Sequence, residues 1–201
     1  FIPQIHVKVS LKLFKYISTT CFMNRSTHEF FDIILRYALL VLLSIGNLLI
    51  FYLVFTPITV YSVFFLFNSF FTAMLNGTTI YVKLIPIEMI PACIAGSAYY
   101  LLLIFNLSTP GIKISRRLRM IFFSFLFFLI VNVLRIFLLG VMYISGSPIF
   151  DIAHKVSWYF GSVFLIMLIW FYQVKIYKVK EIPFYSDLRF LYKHSLLKIK
   201  K

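Results

Sequence analysis

The chain has 201 residues, of which 62% are apolar and 13% charged, against about 45–50% and about 25% in a typical soluble domain. A protein of this size cannot bury so much apolar surface, so the composition excludes both a soluble globular domain and a disordered chain. The formal net charge is +14. Most of the cationic residues lie between or beyond the apolar blocks, where they set topology and attract anionic lipid headgroups rather than nucleic acid.

The apolar residues lie in long blocks rather than in short alternating strands. This pattern predicts an all-α fold, a polytopic integral membrane bundle of about five transmembrane helices. Residues 1–30 form an N-terminal segment in which the first 20 residues are too polar to span a bilayer. Met23 opens a more natural start, so we expect residues 1–22 to be dispensable and a chain started at Met23 to insert and function.

Five apolar blocks make up the predicted transmembrane catalytic domain, residues 31–172. Each approaches or exceeds the ~20 residues that a helix needs to cross a bilayer. The blocks cover 31–55, 57–75, 86–107, 118–144 and 149–172, and the first two are separated by a predicted helix break at Thr56-Pro57. Residues 173–201 form a basic tail, and the spacing of its Leu and Phe residues indicates an amphipathic surface helix.

The distribution of Lys and Arg predicts the orientation of the bundle. The strongest cationic cluster between blocks is Lys113–Arg119, and the tail is also rich in lysine, so both are predicted to be cytoplasmic. With five spans, this assignment places the start of the first block outside the cell.

Three reactive or ionisable residues fall within or at the ends of the apolar blocks. Cys93, Arg135 and His154 are predicted to lie near one membrane depth, close to the outer ends of blocks three, four and five. Each also has a structural interpretation: a small apolar Cys, an Arg that pairs with Glu88 or with backbone carbonyls, and a His at the headgroup level. Ionisable groups inside spans usually mark a functional site.

The residues around this set suggest thiol chemistry. Pro91 favours the first turn of a helix, which places Cys93 near a helix N-terminus, where a thiolate is stabilised. Arg135 could stabilise the thiolate or an oxyanion, and neutral His154 could transfer the proton. Asp151 and Asn132 each lie three residues from one of these side chains on the same helix face, as supporting residues.

Three short motifs carry a resemblance to a known family. Pro-Ala-Cys93-Ile-Ala-Gly-Ser, Asn132-Val-Leu-Arg135-Ile and Asp151-Ile-Ala-His154 lie in the order and spacing of the exosortase/archaeosortase family of membrane-embedded cysteine transpeptidases. The resemblance covers about residues 80–172. It departs from many members directly after the cysteine, where Ile94-Ala95 replaces a small hydroxyl residue and glycine. This departure bears on the subfamily and the sorting motif rather than on the chemistry.

The resemblance implies an activity and a division of roles. Cys93 would form an acyl-thioester, Arg135 would donate a proton or stabilise the oxyanion, and His154 would assist as the base. The substrates would be membrane-anchored surface proteins with a C-terminal sorting signal, which consists of a short motif, a transmembrane helix and a basic end. The protein would be transferred to a membrane lipid or a similar acceptor.

Two other functions remain open from the sequence. The chain could be a non-enzymatic transport or channel component in which Arg135 binds an anionic substrate and Cys93 is inert. It could also be an intramembrane cysteine protease that only hydrolyses its thioester. The sequence contains no metal-ligand cluster, phosphate-binding loop or serine triad, so no cofactor or metal is expected.

Overall fold

The computed structural model describes residues 29–46, 48–179 and 181–194. The helices are α1 (29–44), α2 (Leu49–Phe70), α3 (Pro91–Ile94), α4 (Gly96–Leu107), α5 (Ile114–Ile144), α6 (Phe150–Val156), α7 (Ser162–Tyr177) and α8 (Tyr185–His194). A π-helical turn, Ser157–Gly161, joins α6 to α7. Three strands, β1 (Ala73–Asn76), β2 (Thr79–Val82) and β3 (Ile85–Glu88), form an antiparallel sheet in the order β1-β2-β3.

Three of the helical stretches that the structure describes are long and apolar enough to cross a membrane. They are α2, α5 and the continuous stretch Phe150–Tyr177. The prediction of a mostly helical, multi-pass membrane protein is therefore confirmed. Residues 1–22, which the sequence predicts to be dispensable, lie outside the described residues, and Cys21 is among them.

The first helix break does not lie where the sequence suggested. Helix α2 continues through Pro57, whereas the break between α1 and α2 falls at Gly46 and Leu48, which have φ angles of 75° and 61°. The prediction of a break at Thr56-Pro57 is wrong. Proline is tolerated inside membrane helices because neighbouring groups satisfy the freed carbonyl, and Gly46 supplies the left-handed backbone at the observed break.

The short sheet is a second difference from the all-α prediction. The second block was predicted to remain helical to about Leu75, but α2 ends at Phe70 and the chain then forms strands. Asn76 and Thr79 pair across a tight turn at Gly77, where φ is 60°. β-Branched and aromatic residues between turn residues favour strands, and the three strands have only four residues each.

Two apolar clusters divide the bundle along its length. One lies around Tyr99 and Leu102 of α4 and receives Leu40 of α1 and Phe51 of α2. The other packs beneath the sheet and receives the later part of α2, including Val63. We call the end that carries β1–β3 the sheet end, and the end that carries residues 110–117 and α8 the basic end.

Helix α1 begins at the basic end. Arg36 donates from Nη1 to the Leu107 carbonyl at 2.9 Å and from Nη2 to Asp187 Oδ1 of α8 at 3.0 Å. Arg117 also donates to the Leu107 carbonyl, at 2.8 Å. The cations thus satisfy carbonyls at the C-terminus of α4. The prediction that the first block starts at the end opposite the basic tail is wrong, since Arg36 is buried against Asp187 of that tail.

Candidate active site

A cavity of about 280 Å³ opens near the sheet end of the bundle. It lies between β3, α3, α5 and α6. Its lining residues are Pro86, Ile87, Glu88, Met89, Cys93, Arg135, Ile136, Leu139, Gly140, Tyr143, Phe150, His154, Ser157 and Trp158. The structure therefore brings Cys93, Arg135 and His154 to one cavity, from three elements that are far apart in the sequence.

Cys93 lies in a single helical turn rather than at the start of a long helix. Pro91 occupies the first position of α3, as the sequence predicted, but Ala95 has φ of 57° and ends α3 after four residues. The long helix dipole expected to act on Cys93 is therefore interrupted. The Cys93 backbone N–H donates to the Ile90 carbonyl at 2.8 Å, and the residue is half-buried.

The close packing of α4 against α2 follows directly after this turn. Gly96 begins α4, and a Cβ at this position would lie 2.9 Å from the Tyr52 ring. Only glycine fits there without displacing the ring. The tight contact and the left-handed Ala95 together fix the direction in which the Cys93 turn leaves the helix.

Asn132 connects the Cys93 turn to α5. Its Nδ2 donates to the Cys93 carbonyl at 2.9 Å, and the residue is 2% exposed. The sequence had placed Asn132 on the face of Arg135 as a supporting residue. The structure places its hydrogen bond on the backbone of Cys93 instead.

Arg135 is anchored on the helix that carries His154. Its Nη1 donates to Ser162 Oγ at 2.9 Å and to the Ser157 carbonyl at 3.4 Å. These two acceptors lie five residues apart, at the two sides of the π-helical turn, a feature that often occurs at functional sites. Arg135 Nε is buried and has no hydrogen-bond partner within the described part of the chain.

Arg135 and Cys93 line the same cavity, from α5 and α3. Glu88 lines the same cavity, but it forms no ion pair with Arg135 in the described ranges. An ion pair with Glu88, one of the two structural interpretations of Arg135, therefore does not hold the guanidinium in place. A backbone carbonyl and the Ser162 hydroxyl hold it.

His154 is exposed and is oriented by an aromatic ring. Its imidazole stacks on Phe150, with ring centroids 5.6 Å apart and planes at 10°. Asp151 does not line the cavity, and within the described ranges it makes no hydrogen bond to His154. The predicted orienting contact from Asp151 is thus absent, and Phe150 holds the ring instead.

Sequence reasoning missed three features of this cavity. Ser157 and Ser162 lie within the fifth apolar block, and α-helical spacing does not predict that the Ser157 carbonyl and the Ser162 hydroxyl both accept from Arg135. Strand β3 was read as the start of a helix. Gly140 lines the cavity and packs closely against α2, since a Cβ there would lie 2.5 Å from the Phe67 ring.

The donor set does not resemble a metal centre. No group of three or more His, Cys, Asp or Glu side chains that could hold a metal ion occurs among the residues that the structure describes. The arrangement of a half-buried thiol, a guanidinium and an imidazole around one cavity is suited to acyl transfer.

No protein-family model matches the chain, and neither a curated protein nor a solved structure matches it. The chemistry of this cavity is therefore argued from its own residues.

Proposed function

We propose that this protein is a membrane-embedded cysteine transpeptidase that cleaves a C-terminal sorting signal and transfers the protein to a membrane lipid or similar acceptor. One observation carries the proposal: Cys93, Arg135 and His154 line the same cavity. The resemblance of their three motifs to the exosortase/archaeosortase family supports it.

The proposed reaction has two acyl-transfer steps. His154 accepts the proton of the Cys93 thiol, and the sulfur attacks the scissile carbonyl to form a tetrahedral intermediate. The C–N bond then breaks, the leaving amine takes the proton from His154, and an acyl-thioester remains on Cys93. The acceptor hydroxyl or amine next gives its proton to His154 and attacks the thioester, and the Cys93 thiol is restored.

Arg135 stabilises the oxyanion of both tetrahedral intermediates. Its Nη1 is already engaged by Ser162 and Ser157, which fixes the plane of the guanidinium. Nε lacks a partner in the described part of the chain. A buried donor without an acceptor is costly, and a developing oxyanion on the substrate is the kind of acceptor that such a donor favours.

The finer topology that we propose has four crossings rather than five. Helices α1 and α2 together make one crossing, because α1 begins at the basic end and α2 ends beneath the sheet. The segment Pro91–Leu107, α5 and Phe150–Tyr177 make the other three. The start of α1 and helix α8 then lie with the Lys113–Arg119 cluster on the cytoplasmic side, in agreement with the positive-inside rule.

This topology puts the active-site cavity near the outer membrane surface. Arg135 is separated from Arg117 at the basic end by 18 residues of α5, which is about 27 Å at a rise of ~1.5 Å per residue. A surface protein anchored by a C-terminal transmembrane helix presents the peptide bond just outside that helix at the same depth. The substrate and the thiol therefore meet without either leaving the membrane.

The proposal is tested in cells that hold the native membrane proteins. We expect Cys93→Ala to leave surface proteins with uncleaved C-terminal signals, detected as their C-terminal peptides by mass spectrometry. The matched control is Cys21→Ala, which removes the other cysteine of the chain and should leave processing unchanged. Normal processing in the Cys93→Ala variant contradicts the proposal and favours a transport component.

Two further substitutions separate the roles. Cys93→Ser should be nearly as damaging as alanine, because a hydroxyl is a much weaker nucleophile without a strong base. Arg135→Lys should also fail, since an ammonium cannot bond Ser157 and Ser162 while it presents a planar donor to the oxyanion. Cleaved proteins with a free carboxyl terminus, rather than one joined to an acceptor, would identify a protease that only hydrolyses.

A further inference from the structure

Strand β3 forms one wall of the cavity and one edge of the sheet. The sheet order is β1-β2-β3, so among the residues that the structure describes β3 pairs with β2 along one side only. Residues 86–88 of β3 and the next residue, Met89, line the cavity that holds Cys93. The chain passes from this strand to the Cys93 turn within five residues.

The pairing register shows which backbone groups of β3 point away from β2. In an antiparallel pair, successive residues alternate between those that bond the partner strand and those that face away. Met89 donates its N–H to the Thr78 carbonyl of the β2 side at 3.0 Å, so Glu88 and Pro86 face the free edge. Proline at 86 agrees with this assignment, because it has no N–H to give to a ladder.

The free edge offers the hydrogen-bonding groups that an extended chain needs. Glu88 presents both its N–H and its carbonyl, and Pro86 presents its carbonyl. No backbone hydrogen bond joins these groups to another element in the part of the chain that the structure describes. An unpaired strand edge is a template for an added strand.

We infer that β3 binds the substrate as an extended peptide, which pairs with Glu88 and Pro86 as a fourth strand and lies along the cavity over Cys93. This inference rests on the proposed function and names how that site holds its substrate. The opposite wall supplies aromatic side chains, Phe150 and Trp158, together with His154. Main-chain pairing fixes the peptide's direction and depth, and these aromatic groups receive its side chains.

The pairing explains how a scissile bond is presented to a half-buried thiol. A transmembrane helix satisfies its own backbone groups, but the residues just outside it do not. An edge strand at the membrane surface provides those residues with partners and keeps them extended. The scissile carbonyl is then held in line with Cys93 rather than within a helical turn.

The test uses the full-length protein in phospholipid vesicles and a small peptide reagent, acetyl-trialanyl chloromethyl ketone. The Cys93 sulfur displaces chloride, so that a C–S bond forms, the C–Cl bond breaks and the thiol proton passes to His154. Mass spectrometry of the modified Cys93 gives the half-saturating concentration of the reagent and the limiting rate. Iodoacetamide, which has no peptide backbone, measures the reactivity of the thiol alone.

Glu88→Pro removes the outward N–H without removing a bond to β2. We expect it to raise the half-saturating concentration about fivefold, the effect of one net hydrogen bond, and to leave the limiting rate and the iodoacetamide rate unchanged. Ala73→Pro is the matched control, since Ala73 lies on the opposite edge strand, away from the cavity.

A second comparison needs no substitution in the protein. The same reagent, N-methylated at all three alanines, has no N–H to donate to a strand edge and should also require at least about five times more reagent for half-saturation. Equal half-saturation for the two reagents overturns the inference, even if Glu88→Pro fails to fold. If Cys93 reacts with neither the chloromethyl ketone nor its N-methylated form, the proposed function itself is contradicted. If Cys93 reacts with both at the same half-saturating concentration, the peptide pairing alone is contradicted.

Discussion

The hydrogen bond from Asn132 to the Cys93 carbonyl positions the nucleophile, and its removal should slow the chemistry. Among the residues that the structure describes, it is the side-chain hydrogen bond that ties α3 to a neighbouring helix. Helix α3 has one turn and is followed by a left-handed residue, Ala95, and besides this bond it is held by apolar packing through Ile94, which is 1% exposed. We expect Asn132→Leu to retain the fold and to misplace the thiol.

The size of the effect follows from the geometry. The bond is 2.9 Å long and the amide is 2% exposed. Its loss leaves the Cys93 carbonyl unpaired, which costs about 1–3 kcal/mol, and each kcal/mol lowers the melting temperature by about 2–4 °C in a chain of this size. A displacement of about 1 Å at a reacting atom costs up to about 100-fold in rate.

Asn106 offers a matched control for this substitution. It is also buried, but its Nδ2 donates to the Leu102 carbonyl of its own helix at 2.8 Å, so this side-chain bond ties no elements together. Asn106→Leu should leave the rate of substrate cleavage unchanged, whereas Asn132→Leu should lower it by about 10- to 100-fold. The rates are measured in vesicles and the melting temperatures by circular dichroism. Equal rates for the two variants would refute the positioning role.

Two other substitutions test the packing that forms the cavity and the basic end. Gly140→Ala places a Cβ 2.5 Å from the Phe67 ring, so it should destabilise the bundle by about 1–3 kcal/mol. Gly161→Ala is the control: its Cβ would lie 3.5 Å from Ser157 Oγ, and it should have little effect in the same unfolding experiment. Asp187→Asn removes one of the two carboxylates that pair with Arg36, while Asp32 remains at 3.1 Å, so the free energy of unfolding should fall by about 1–3 kcal/mol, and an unchanged melting temperature would contradict a stabilising role of the Arg36–Asp187 pair.

Part of the fold could be predicted because membrane spans leave a strong signal. Block four corresponds to α5, and block five corresponds to the stretch Phe150–Tyr177. Long runs of apolar residues identify helices that must satisfy their own backbone in lipid. The polar exceptions, Cys93 and Arg135, then stood out by their depth alone.

The sheet and the first helix break could not be predicted from the same signal. The residues around Ile80 fall between two apolar blocks, and strands of four residues on either side of the tight turn at Gly77 are too short to give a clear alternating pattern. The course of α1 depends on the pairing of Arg36 with Asp187, which lies 151 residues later. Local sequence patterns contain no information on such a distant contact.

The anchoring of the site depends on contacts of the same kind. The sequence favoured Asp151 as the partner of His154 because the two residues are three apart on a helix. Stacking on Phe150 orients the ring instead, and Ser162 holds Arg135 through a π-helical turn that α-helical spacing does not anticipate.

The acyl-thioester on Cys93 is the most direct test of the central claim. The full-length protein is isolated from membranes that contain its native substrates and analysed by mass spectrometry of its cysteine-containing peptides. We predict an acyl group on the Cys93 peptide that neutral hydroxylamine removes, with the Cys21 peptide unmodified as an internal control. A Cys93 that carries no hydroxylamine-sensitive acyl group, in membranes where the substrates are being cleaved, would contradict the account.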